Sequence, residues 1–153
     1  MQSQRASTAA NLSGLYDEDF FEWTRRNAEL LRSGHLDQAD IAHIAEEIED
    51  MGKRDLRELN SRVQVLLIHL MKWQLQPEKR SASWRRTISD KRIKVRRLLQ
   101  QSPGFRRRIY AHLAENYEDA VHLAAIETGL SSNSFPAECP YTVEQILDPE
   151  FLP

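Results

Sequence analysis

Between Asp40 and Gln76 the residues Ile41, Ile44, Ile48, Leu56, Leu59, Val63, Leu66, Leu70 and Trp73 fall close to one line at 3.6 residues per turn. Gly52 stands in the same line, and the stripe does not lose phase there. No segment of the chain alternates as a strand would, so a stripe this long has only helices to pack on. The fold class follows: all-α, a helical bundle of four to five main helices. Two versions of the segment stay open, one long helix with a weak point at Gly52 or two nearly collinear helices broken there. Pro77 ends it in both.

The other segments are read by the same period. Asp17 to Arg32 places Phe20, Trp23, Asn27, Leu30 and Leu31 at helical spacing, with Asp17, Glu18 and Asp19 in the first turn and Gly34 as terminator. Ser81 and Ser83 are both suitable N-caps for a segment whose stripe is Trp84, Ile88, Val95, Leu98 and Leu99, with Lys91 at a position an apolar residue should hold. Ser102-Pro103 has the pattern of an N-cap and first position for a last long helix carrying Phe105, Ile109, Leu113, Tyr117, Ala120 and Ala124, which stops at Gly129. The tail from Leu130 holds four of the six prolines and one short helical stretch, Thr142 to Leu147, opened by Thr142-x-x-Gln145. Phe135, Tyr141, Ile146 and Phe151 are its expected anchors.

A chain of 153 residues fits one ordinary domain and can bury a core without a disulfide or a metal. The expected organisation is a flexible polar lead-in over 1–14, a helical bundle over 15–129 and a C-terminal wrap of the same domain over 130–153. Met1 to Gly14 lacks the apolar stretch of a signal peptide, and no run approaches the roughly 18 apolar residues of a membrane span. The single Cys139 can form no internal disulfide and has no neighbouring His or Cys for a zinc or redox motif, so it reads as inert. A cytoplasmic location is the expectation, with no membrane association.

The net charge of −2 hides an order along the chain. Residues 12–60 hold thirteen acids and six bases, residues 61–110 two acids and fourteen bases, and residues 111–153 eight acids and no base. A basic middle between acidic arms is either a polyanion-binding surface or a segment that folds against its own arms, and the arms favour the second.

Three constellations bear on chemistry. Asp40-x-x-His43 and Asp119-x-x-His122 each put a carboxylate and an imidazole on one helical face, which a dimetal bundle could use, but the family of such sites carries Glu-x-x-His and this chain does not. Arg62 and His69 fit a loose spacing used by some helical ribonucleases, where an imidazole beside a guanidinium could move a proton next to a phosphate. The plain alternative is that Arg62 pairs with Glu58 one turn away and His69 edges the core stripe. Third, Lys79, Arg80, Arg85, Arg86, Arg92, Lys94, Arg96 and Arg97 spread around the third helix, where a groove-reading helix would gather its bases on one side. Phosphate-cradling glycine loops, nucleophile elbows and Cys/His fingers do not occur, and no cofactor or metal is expected.

The runs LYDEDFFEW, EEIEDMGKRDLREL, HLMKWQLQPEKRSASWRRTI and FPAECPYTVEQILDPEFLP together resemble the bacterial family known as domain of unknown function 29. The likeness covers about residues 15 to 153 and is most specific in His69-Leu70-x-Lys72-Trp73 followed by Arg80-x-x-Ser83-Trp84. It implies a compact all-helical domain and no activity. Physical reasoning adds a binding or charge-paired cluster of Glu46, Glu47, Glu49, His69, Lys72, Trp73, Arg80, Trp84 and Lys91, in which antiparallel packing of the second segment on the third would pair some of the acids Glu46, Glu47, Glu49 and Asp50 with some of the bases Lys72, Arg80, Arg85 and Lys91. Lys91, inside an apolar stripe, would need one of those carboxylates. The expected role is a non-enzymatic protein-interaction or regulatory module whose partner is a protein, including a second copy of the chain. The alternative is an RNA-binding protein or weak ribonuclease using residues 62–97, with a dimetal carboxylate bundle more distant.

Overall fold

The computed structural model describes residues 12–153. All its regular structure is helical, with no strand among the described residues, and none of its helices is long and apolar enough to cross a membrane. Two compact units are separated by contact density, Met1–Lys53 and Arg54–Pro153.

In the first unit, α1 occupies residues 12–18 and α2 runs Phe20–Arg32, followed by a 3-10 turn at Leu36–Gln38. Of the lead-in expected over 1–14, residues 12–14 are helical and Leu12 is buried, and residues 1–11 lie outside the described residues. The helix expected from Asp17 also begins later. Asp19 leaves helical geometry at φ −149°, and its side chain accepts from the Glu22 amide, so it caps α2 where periodicity alone would carry the helix through. Gly34 closes α2 with φ 77°, letting the amides of Gly34 and His35 reach the carbonyls of Leu31 and Leu30.

Gly52 does not break the second segment. It lies inside α3, a single helix Ile41–Leu75 of 35 residues. Good helix formers flank it, and Glu49 spans it to Lys53 at 3.7 Å. The stripe is nonetheless not uniformly core. Leu59, Val63, Leu66 and Leu70 of the stripe are fully buried, with Met71 beside them, whereas Ile41 and Ile48 are 51% and 64% exposed and Met51 next to them 56%.

The second unit continues from Arg54. After a 3-10 turn at Pro77–Lys79 come α4 (Ala82–Gln101) and α5 (Phe105–Thr128), and the tail adds α6 (Val143–Leu147). The buried face of α3 meets Ile88, Val95 and Leu98 of α4, Ile109, Tyr117, Ala120 and Ala124 of α5, and Phe135, Tyr141, Val143 and Ile146 of the tail. Ser81 is the cap of α4, accepting from the Trp84 amide. Ser102 and Pro103 do not cap α5: its first residue follows Gly104, with no side-chain cap, and the Ser102 carbonyl accepts the Phe105 amide inside the turn. The Thr142–Gln145 capping box forms as read.

The tail is held by polar anchors as well as apolar ones. Tyr117 Oη donates to the Pro136 carbonyl at 2.7 Å, and Tyr141 Oη to Gln74 Oε1 at 2.6 Å. Arg92, read as one of the surface bases, is only 6% exposed and donates to the carbonyls of Ile146 and Gln145 at 2.9 and 3.2 Å.

Candidate functional site

The block most specific to the family resemblance folds into a corner of the second unit. Pro77–Lys79 reverses the chain between α3, which brings His69, Lys72 and Trp73, and α4, which brings Trp84. Lys72 Nζ lies 4.7 Å from the centroid of the Trp84 ring and 2.9 Å from Glu127 Oε2 of α5. In the reverse sense, the Arg80 guanidinium sits 5.1 Å from the Trp73 ring, while its Nε donates to the Trp73 carbonyl at 2.8 Å. Each side of the corner thus supplies a cation to the other side's indole, an attraction of about 0.5–1 kcal/mol per pair when partly exposed.

His69 is half-buried beside this corner, with Nδ1 2.9 Å from the Val65 carbonyl. A carbonyl only accepts, so Nδ1 carries the proton and Nε2 is left as an acceptor. Burial lowers the imidazole pKa, and the charges of Lys72 and Lys91 act in the same direction against the Val65 carbonyl and Glu127. Arg62 does not join the imidazole: the two residues are seven apart on one helix, about 10.5 Å along the axis, and Arg62 Nη2 is held by Glu58 at 3.0 Å. The i,i+4 pair is what forms here, and Arg62 Nε is buried without a hydrogen-bond partner.

Lys91 finds a carboxylate, but not one from the acidic turn. Its Nζ is 3.3 Å from Oδ2 of its chain neighbour Asp90, which Lys94 shares at 2.9 Å. Both lysines, with that of Lys94 the larger effect, hold the Asp90 carboxyl below its ordinary pKa. Glu46, Glu47 and Glu49 belong to the first unit, where Glu49 pairs with Lys53. Glu47 accepts from Tyr16 Oη at 2.5 Å, which pushes the phenol up to about 12.

That tyrosine belongs to a network that periodicity does not reveal. Tyr16 stacks on His43 with ring centroids 4.0 Å apart and 13° between planes. His43 Nδ1 lies 2.7 Å from Asp40 Oδ2, and Trp23 Nε1 donates to the same oxygen at 2.9 Å. Asn27 completes it, accepting the Asp40 amide through Oδ1 and donating Nδ2 to the Trp23 carbonyl. Burial pushes the Asp40 carboxyl up, but the hydrogen bonds from Trp23 and His43 outweigh it and the net shift is downward. His43 is raised, by its hydrogen bond to Asp40 foremost and by the charges of Asp40, Glu46 and Asp17, against its partial burial. The sequence signal was the Asp40-x-x-His43 spacing, which suits a carboxylate–imidazole pair as well as it suits a metal. With Asp40 Oδ2 engaged twice and Asp119 Oδ2 accepting from Gln64, no cluster of three metal-ligating side chains forms among the described residues.

No curated protein and no solved structure matches the chain. What does match is the family model described as domain of unknown function DUF29, over residues 15–152, and the chain belongs to that family.

Proposed function

We propose that this protein is a non-enzymatic interaction module that pairs with a second copy of itself through the N-terminal part of α3. The observation that carries the reading is the exposed apolar stripe Ile41, Ile48 and Met51, set at i, i+7 and i+10 on one helical face. Beside it lies Gly52, where an added Cβ would meet nothing within 4 Å, so the helix has no internal reason for a residue that costs about 1 kcal/mol relative to alanine. A second helix crossing closely at that point supplies one.

Charge order selects a second copy as the occupant. Four acids, Glu46, Glu47, Glu49 and Asp50, precede Gly52, and two bases, Lys53 and Arg54, follow it. Two copies crossing antiparallel at Met51 and Gly52 set the acidic turn of one alongside the basic residues that follow Gly52 in the other. That is the self-complementary pattern a two-fold interface requires. The stripe spans only about three turns, so the contact is smaller than the roughly 1,600 Å² of a standard interface and the dimer is correspondingly weak.

Sedimentation velocity over a wide concentration range tests the reading. Expected are a monomer–dimer equilibrium, a monomer for Ile48→Glu, and pairing that weakens as salt screens the charge order. A chain that stays monomeric at every concentration, or a dimer indifferent to Ile48→Glu, overturns it.

A further inference from the structure

The solvent face of α4 carries four arginines that no carboxylate among the described residues pairs. Arg85, Arg86, Arg96 and Arg97 are exposed, and none makes an ion pair among the described residues. The remaining cations of the helix are occupied: Lys91 and Lys94 share Asp90, and Arg92 turns inward to the tail carbonyls. Eleven residues, close to three turns, separate Arg85 from Arg96 and Arg86 from Arg97, so the four form two rows, each about 16 Å long. Ser89 and Ile93 lie between the rows.

The surface between them is recessed. Two adjoining hollows share Ser89 and Ile93; one reaches Arg85 and Arg86, the other Arg96 and Arg106, with Leu147 and Pro149 of the tail as its far wall. The result is a shallow trough along α4 with a partly apolar floor and cations on its rims. The one carboxylate lining it, Asp90, already lies between two lysines.

We infer that this trough binds a short stretch of single-stranded nucleic acid through its phosphodiester backbone. Uncompensated guanidinium groups on one face are the electrostatic footprint of a polyanion site. A helix that reads a duplex must protrude into the groove, whereas the Arg96 end of this face abuts the tail at Leu147 and Pro149. A single extended strand fits a trough of this length with about three phosphates along the rims. No exposed aromatic ring stands on α4, since Trp84 is half-buried with Lys72 over its ring, so bases are not stacked and sequence is not read.

Fluorescence anisotropy with labelled oligouridylate and oligothymidylate, each of about a dozen nucleotides, tests the inference on the full chain. Expected is similar binding of both at low ionic strength, with log K falling against log salt at a slope of about −2, the value for three phosphates of a single strand. Arg85→Ala combined with Arg96→Ala should bring the slope to about −0.7 and weaken binding at least ~10-fold, with circular dichroism unchanged. Absence of binding by the native chain, a slope unmoved by the double substitution, or tighter binding of duplex DNA or polyglutamate overturns the inference. The native chain's preference for single strand over duplex is measured without any substitution, and the outcome is independent of whether the protein dimerises.

Discussion

The Arg92 guanidinium donates to the Ile146 carbonyl at 2.9 Å, joining residues 54 apart in sequence from inside the core of the second unit. The acceptors are end carbonyls of a five-residue helix, groups that have no partner within the helix itself. Burial depresses the guanidinium pKa, but an arginine remains charged throughout the accessible range. Arg92→Met should therefore cost about 1–3 kcal/mol, the price of leaving buried acceptors unpaired, and Arg92→Lys less. Urea denaturation gives the magnitude. Hydrogen exchange locates it: amides of residues 141–153 should lose protection ahead of those of α3, and uniform loss would contradict the anchoring role.

The Asp40–His43 pair predicts a two-sided pH dependence for the first unit. Asp40 is depressed below its ordinary 3.8, so its contribution is present above that pH and lost as pH falls through the lower folded value. His43 is raised above its ordinary 6.5, so its contribution is full below 6.5 and lost as pH rises through the higher folded value. Protection of the Trp23 indole N–H, which reports on the shared Asp40 oxygen, should peak between these limits. His43→Asn should flatten the alkaline limb and leave the acid limb in place; an alkaline limb that persists in the variant would assign it elsewhere.

Features carried by local periodicity or by a local capping signature were legible, and those set by distant partners or by a cap without a distinctive signature were not. The stripe through Gly52 is read correctly as helical because each turn reports on the next, and the Thr142–Gln145 box is a local signature of the same kind. The break at Asp19 is hidden because an aspartate in an acidic run suits a cap and a first turn equally. Arg92 is indistinguishable by sequence from its exposed neighbours, since its depth depends on a tail that follows 50 residues later. In the candidate cluster, His69, Lys72, Trp73, Arg80 and Trp84 do assemble as one corner. Charge order alone could not show that Lys72 takes Glu127 rather than an acid from the Glu46–Asp50 turn.

The Lys72–Trp84 contact of the corner should carry a measurable interaction energy. In a double-mutant cycle, Lys72→Met and Trp84→Leu remove the two ends of one contact, and the interaction energy should be about 0.5–1 kcal/mol. Glu127→Gln should reduce the cost of Lys72→Met, because Lys72 is shared between the indole and that carboxylate. Thermal melts of the four variants supply the cycle. Strict additivity would show that the ammonium and the ring are merely neighbours.

Gly52→Ala separates the two demands on α3. Within one chain the substitution meets open space and removes a residue of low helix propensity, so the isolated helix should gain about 0.5–1 kcal/mol. At an antiparallel crossing the same methyl would stand between two backbones and push them apart, so pairing should weaken as the fold strengthens. Chemical denaturation at low concentration and sedimentation at high concentration read the two effects separately. A variant both more stable and more strongly paired would place the crossing away from Gly52, leaving the exposed Ile48 and Met51 to pack at a different register.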